Sequence, residues 1–201
     1  MREGLRSRVF WILTATLFLG ALGLNGTITH LSALLTDRGF AAGTAAYAVS
    51  ALGGANLLGR LVTGYLLDRF AGPRIAMGLL GICGLGMFLL AQPVSPLLAA
   101  LGTILIGFGL GGESDVIPYL LGRYLGLRSF STLYGFTWTA YAVATAMSSV
   151  LMGKVFDATG SYQLFLLPFA AVMFVSAGLM MLMPPYPASK ETISPIAVAV
   201  S

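Results

Sequence analysis

Long apolar stretches follow one another along the chain, and short polar segments separate them. A helix needs roughly 20 mainly apolar residues to cross a hydrocarbon core that is ~30 Å thick. The stretches predict six spanning helices, over residues 9–35, 45–67, 75–91, 97–121, 133–155 and 164–183. The pattern therefore predicts an all-α, polytopic membrane domain over residues 1–187 and a flexible cytoplasmic tail over residues 188–201.

The separating segments contain charged residues, glycine and proline, which commonly end helices. One segment runs from Asp68 to Arg74, and another contains Pro93 and Pro96. Because all the segments are short, consecutive helices are expected to pack as neighbours.

Composition supports the membrane interpretation. Hydrophobic residues make up 57% of the chain and charged residues only 9%, whereas a soluble domain has about 25% charged residues. A net charge of +4 could indicate nucleic-acid binding in a soluble protein. In a chain this apolar we expect a lipid bilayer as the surroundings and no nucleic-acid partner.

The distribution of Lys and Arg predicts the orientation, because cytoplasmic loops are rich in these residues. With the amino terminus placed in the cytoplasm, the opposite side carries only Arg38 and Lys154. The cytoplasmic side then carries eight cations: Arg2, Arg6, Arg8, Arg69, Arg74, Arg123, Arg128 and Lys190. The bias predicts a multi-pass protein of the cell (inner or plasma) membrane with both termini cytoplasmic.

A short pattern occurs twice. The segments from Gly64 to Gly72 and from Gly153 to Gly160 both read Gly-x-x-x-Asp followed closely by Gly. They end the second helix of each successive group of three, on opposite sides of the membrane. This is the signature of a 3+3 inverted repeat, which is common in secondary transporters, and the final Gly is expected to let the chain turn. Coincidence in a glycine-rich chain is the alternative.

The segment from Gly64 to Arg74 resembles the signature loop of the major facilitator superfamily. It departs from that signature by one extra residue before Gly72 and by Pro73. Residues 112–124, 134–138 and 156–162 are similar to the oxalate/formate antiporter and monocarboxylate transporter branch. The positions that fit the signature loop are Leu66, Asp68, Arg69, Gly72 and Arg74.

The resemblance covers about residues 8–187 and implies a twelve-helix fold of which this chain supplies helices seven to twelve. The partner it implies is a missing N-terminal six-helix half or a second copy of the chain. Asp68, Arg69 and Arg123 are further candidates for proton coupling or gating.

Arg60 lies within the second predicted helix, ~12 Å from Asp68 at the helical rise. Polar groups inside membrane helices are functional candidates because they are expensive there. In the monocarboxylate branch an acidic residue and an Arg lie one turn apart on this helix, and Asn56 and Arg60 match that spacing. The resemblance implies that Arg60 binds an organic anion, while Asn56 cannot titrate. Alternatively, Arg60 is a structural partner of Glu113 or Asp115.

Glu113 and Asp115 form a second candidate site in the fourth predicted helix. They are two residues apart, so they face different directions. A carboxylate in a low-dielectric setting can carry a proton, which predicts proton coupling. The alternative is an ion pair with Arg60, Arg69 or Arg123 that latches the cytoplasmic gate.

Asn25, Thr29 and His30 give the first predicted helix a polar stretch. Asn25 and Thr29 share a face, and the superfamily resemblance implies that this helix lines the central cavity. These residues are candidates for substrate contact, and His30 could titrate near neutral pH. A hydrogen-bonded His at the outer mouth is the alternative.

Tyr134, Trp138 and Tyr141 recur at helical spacing on one face of the fifth predicted helix. Aromatic rings with polar tips could narrow a substrate pathway. Ordinary packing or an interfacial belt explains them equally well.

The expected function is secondary active transport of a small solute by alternating access, and the expected solute is a carboxylate. The alternatives are an exporter of drugs or neutral solutes, and a truncated or accessory membrane subunit. An intramembrane enzyme is disfavoured, because the chain has one His, one Cys (Cys83) and no Gly-x-Ser-x-Gly motif. No catalytic residue, metal site or cofactor is predicted.

Overall fold

The computed structural model describes residues 5–92, 95–126 and 130–185, and these residues form helices without a strand. The all-α expectation is confirmed. The predicted tail, residues 188–201, lies outside the described residues. The helices are α1 (Arg8–Thr29), α2 (Leu31–Asp37), α3 (Ala42–Leu67), α4 (Gly72–Ala91), α5 (Pro96–Leu125), α6 (Phe130–Thr159) and α7 (Gln163–Leu179), with a 3-10 turn over Met180–Leu182.

The first predicted helix, over residues 9–35, is wrong as a single element. It is broken at His30 (φ −99°, ψ 8°), which ends α1 and precedes α2. The His30 N–H still donates to the Gly26 carbonyl, at 3.1 Å. The short α2 then ends at Asp37, and Gly39 turns the chain with φ 86°. The other predicted bounds differ from those observed by four residues or fewer.

Within the described residues, five helices are long and apolar enough to cross a membrane: α1, α4, α5, α6, and α7 together with its 3-10 turn. The remaining long helix, α3, has 26 residues but falls outside that set because it is less apolar. Asn56 and Arg60 both lie in it. Six spanning helices therefore stay a prediction, because α3 is not among these five.

Contacts between helix ends show that the helices run up and down. The Gln163 side chain donates to the Ala91 carbonyl at 3.1 Å, so α7 begins where α4 ends. The Tyr124 hydroxyl donates to the Pro184 carbonyl at 3.1 Å, so α5 ends near the chain that follows α7. We call the end of the bundle at which α1 begins the amino-terminal end, and the other the opposite end.

The packing partners of the helices repeat. Helix α1 packs mainly against α6 and α7, α5 packs mainly against α3 and α4, and α4 also packs against α7. When α1 is exchanged with α5, α3 with α6 and α4 with α7, the same pairs of helices are in contact. Two successive three-helix repeats would pack in this way, which supports the predicted repeat.

Glycines allow α3 and α5 to approach closely. Gly107 and Gly111, one turn apart on α5, face the backbone carbonyls of Leu52 and Asn56. Gly59 of α3 faces the Phe108 carbonyl in the same way, and a Cβ at any of these glycines would clash with backbone. Small residues are what membrane helices need for such contact, so this interface fixes the register of α3 against α5.

The two glycines that end the repeated motif have different roles. Gly160 turns the chain after α6 with φ 67°, as expected. Gly72 has no positive φ and is the first residue of α4. A Cβ there would lie 2.7 Å from Leu120 Cδ2, so Gly72 serves helix packing, and the expectation of a turn is wrong at this position.

Large apolar side chains are exposed along α3 and α6. Only 17% of the most apolar stretch of α6 is buried, against 56% for α1 and α4. The exposed residues on these two helices include Leu57, Leu58, Leu61, Tyr65, Phe136, Val143, Met147 and Val150. Because the described residues leave these sides uncovered, lipid or another protein unit must cover them.

Candidate functional site

Arg60 and Asp115 form an ion pair between α3 and α5. Arg60 Nη1 lies 3.7 Å from Asp115 Oδ1, and the two side chains are 47% and 44% exposed. The close α3–α5 packing brings the pair together, because it sets which faces of the two helices meet. A half-exposed pair keeps donors and acceptors available, so it can exchange partners with an incoming ion.

Asn56 lies one turn before Arg60 and is half-buried. Its backbone carbonyl packs against Gly111, which anchors this turn of α3. The residue therefore lies beside the ion pair and adds a neutral polar side chain to the same stretch of helix.

Glu113 is turned away from the ion pair and is 5% exposed. Its carboxyl points at α1, where a Cβ on Gly20 would lie 2.5 Å from Glu113 Oε1. That oxygen has no hydrogen-bond partner among the described residues. Of the two carboxylates suggested as partners of Arg60, the structure pairs Asp115 and buries Glu113 elsewhere.

An aromatic row on α6 lies beside Glu113. The ring centroids of Tyr134 and Trp138 are 5.8 Å apart, and those of Trp138 and Tyr141 are 4.8 Å apart. Together with Glu113 and Ser114, the three rings line a cavity of about 20 Å³ between α1, α5 and α6. A cavity of this size has room for about one water molecule.

The polar stretch of α1 faces α6. The Tyr141 hydroxyl donates to Asn25 Oδ1 at 3.4 Å. The Thr29 hydroxyl donates to the Asn25 carbonyl at 2.8 Å and lies 3.4 Å from the Ser149 hydroxyl. The structure therefore brings Asn25 and Thr29 together with one member of the aromatic row.

His30 is separate from these residues, at the opposite end of the bundle. Its ring centroid lies 5.6 Å from that of Tyr162, which precedes α7. Burial raises the pKa of the Tyr162 hydroxyl, and the charges of Asp37 and Asp157 raise it further. His30 thus lies in a small cluster of titratable groups near the end of the helices.

The loop between α3 and α4 forms a third polar region, at the amino-terminal end. Asp68, Arg69 and Arg123 line one cavity of about 420 Å³ together with Tyr119. The Arg69 guanidinium carbon lies 4.2 Å from the centroid of the Tyr65 ring, a cation–π contact. The end of α5 therefore lies beside the signature loop.

Ser148 is a polar residue of the contact between α1 and α6, and the sequence did not predict its role. It is fully buried on α6, accepts the Gly26 N–H at 2.8 Å and donates to the Leu22 carbonyl at 2.5 Å. A serine in an apolar helix gives no sequence signal of its partner. Its position opposite Gly26 explains how α1 and α6 approach closely.

Metal-binding clusters are absent from the part of the chain that the structure describes: no three His, Cys, Asp or Glu residues meet there in a way that could hold an ion. Cys83 is buried and packs against Gly109.

An up-and-down bundle of apolar helices long enough to cross a membrane is the architecture of a polytopic membrane protein. The family model of the Major Facilitator Superfamily matches residues 1–149. The chain belongs to this superfamily of membrane transporters.

Individual relatives agree with this assignment. Apicoplast pyruvate carrier 1 of Toxoplasma gondii is 30% identical over 168 residues, which is 80% of this chain and 31% of that protein. Human monocarboxylate transporter 12 is 27% identical over 160 residues, 76% of this chain and 30% of that protein. YhjX, an uncharacterized MFS-type transporter of Escherichia coli, is 28% identical over 151 residues, 72% of this chain and 37% of that protein. The chain therefore spans about a third of the length of these relatives.

Proposed function

We propose that this chain is one six-helix half of a secondary active transporter that moves small organic carboxylates by alternating access. Arg60 binds the substrate carboxylate in this proposal. The observation that carries it is the half-exposed pair of Arg60 and Asp115. A planar guanidinium suits a carboxylate, because it can donate two parallel hydrogen bonds.

In this proposal, Asp115 competes with the substrate carboxylate for Arg60. Without substrate, Asp115 compensates the Arg60 charge across 3.7 Å. A substrate carboxylate offers the same chemistry and displaces Asp115.

The names of two relatives support a carboxylate substrate. One is named as a pyruvate carrier and the other as a monocarboxylate transporter. Pyruvate and other monocarboxylates present one carboxylate on a small body, which fits a single guanidinium.

The exposed ion pair also supports a second six-helix unit, either the N-terminal half or another copy of the chain. Charged side chains in membrane helices face protein or a water-filled cavity. The side of α3 that carries Arg60 is therefore covered by water and protein instead of lipid. Asn56 on α3, with Asn25, Thr29, Tyr134, Trp138 and Tyr141 of the α1–α6 contact, would line the pathway on this chain's side.

The polar groups near the ends of the bundle complete the proposal. Asp68, Arg69 and Arg123 latch the cytoplasmic gate, and His30 lies at the outer mouth. The excess of Lys and Arg at the amino-terminal end supports cytoplasmic termini in the cell membrane.

Glu113 is proposed as the proton carrier beside this pathway. Glu113 is 5% exposed and one of its oxygens has no hydrogen-bond partner among the described residues. An isolated buried charge is costly, so this carboxyl is suited to exchange a proton when the cavity opens. Glu113→Gln keeps the shape but cannot ionise. We expect it to retain exchange of external for internal carboxylate and to lose accumulation driven by a pH gradient. Loss of both activities, or retention of both, would refute this role.

The experiment that tests the proposed function is uptake of labelled pyruvate into vesicles that contain the native protein bearing this sequence. Unlabelled lactate should compete with it, whereas the uncharged amide of pyruvate should not. Competition by the amide at similar concentrations would indicate a carrier of neutral solutes. No uptake of any carboxylate would favour an accessory subunit.

A further inference from the structure

A third cavity also lies at the amino-terminal end, away from Arg60 and Asp115. It has a volume of about 370 Å³ and lies between the start of α4, the end of α5 and the chain after α7. No residue of α3 or α6, the helices with uncovered apolar sides, lines it. It is therefore a separate feature of the bundle.

This cavity combines one cationic side chain, Arg74, with an apolar wall. Its wall includes Met77, Met180, Met181 and Met183, and Arg74 lies among the lining residues. Arg74 is exposed, and within the described ranges its guanidinium has no carboxylate partner. Methionine side chains are flexible and adapt to irregular apolar ligands.

The position of the cavity decides which ligand fits. The membrane-crossing helices α4, α5 and α7 all begin or end here, so the cavity lies where hydrocarbon meets lipid headgroups. Arg69 and Arg123 lie at the same end and add positive charge, and Asp68 is the carboxylate that lines the same cavity as these two cations. Cations at this level attract anionic lipids.

We propose that this cleft binds one anionic phospholipid, with its phosphate at Arg74 and one acyl chain along the methionines. The lipid would bridge α4 and the end of α7, next to the loop between α3 and α4. Lipid bound there is placed to stabilise the amino-terminal end of the helices without touching Arg60 or Asp115.

Native mass spectrometry of the full chain in detergent tests this, with dioleoyl-phosphatidylglycerol and dioleoyl-phosphatidylcholine as probes. We expect preferential retention of phosphatidylglycerol. Arg74→Gln should weaken that binding about fivefold, the change expected for one cation near an anionic surface. Lys154→Gln, which removes an exposed cation from α6 near the opposite end, is the matched control and should leave binding unchanged.

Met77→Trp fills the groove and should reduce retention of both lipids. Wild-type binding of phosphatidylglycerol by both Arg74→Gln and Met77→Trp would overturn the proposal. So would displacement of the lipid by an equal concentration of glycerol phosphate, since that would show a phosphate site without an acyl groove. Binding that appears only after removal of residues 187–201 would instead identify the chain's own tail as the occupant.

Discussion

Arg60→Ala should lower kcat/KM for carboxylate uptake about 10- to 100-fold, the range expected when a hydrogen-bonded charged contact is removed. The guanidinium is the charged donor that faces the accessible side of α3, and Asp115 is its partner at 3.7 Å. Without the cation, Asp115 remains in place and repels an incoming anion. Both effects act in the same direction, so the loss should be among the largest of any single substitution in the site.

Arg60→Lys separates charge from geometry. Lysine keeps the positive charge but lacks the planar fork, so we expect partial uptake with a raised KM. Thermal unfolding of each variant in detergent is the control for folding, and it should change little because the native pair is half-exposed and worth little stability. Full uptake by a folded Arg60→Ala variant would remove Arg60 from the substrate site.

Gly59→Leu should destabilise the bundle by about 1–3 kcal/mol or more, as overpacking a tight interface does. Gly59 faces the Phe108 backbone carbonyl so closely that a Cβ clashes with main chain. Backbone cannot move aside as a flexible side chain can, so α3 would have to separate from α5. The same movement would pull Arg60 away from Asp115.

Gly54→Leu is the matched control, because Gly54 lies in the same helix and a Cβ added there would meet no atom within 4 Å. Both substitutions replace glycine with a good helix former, so the difference between them reports the α3–α5 contact alone. The measurement is the midpoint of thermal unfolding in detergent. Equal midpoints for the two variants would show that the glycine interface does not hold α3 in place.

The helices could be predicted from the sequence because the length of an apolar stretch is tied directly to membrane thickness. The break at His30 could not, because no proline marks it and the residues that follow it are apolar enough to continue a helix. Helix α3 is the intermediate case. Its polar residues lower its apolarity, and the same residues made it the leading candidate for function.

The residues of the candidate site could be predicted from the sequence, but which of them meet in space could be predicted only in part. Arg60 is identified by its charge within an apolar stretch, and the spacing of Glu113 and Asp115 predicts that they face different directions. Which carboxylate meets Arg60 depends on how α5 is rotated against α3. The glycine contacts determine that rotation, and a pattern along one helix does not specify them.

The affinity of the Asp115→Asn variant for pyruvate, measured at equilibrium beside the wild-type protein, tests directly whether Arg60 binds the substrate in competition with Asp115. If Asp115 competes with substrate for Arg60, its neutralisation should tighten binding by up to about fivefold, the worth of an exposed ion pair. Unchanged or weaker binding would show that Asp115 does not compete for Arg60, and that it either takes no part in the site or helps to hold the substrate.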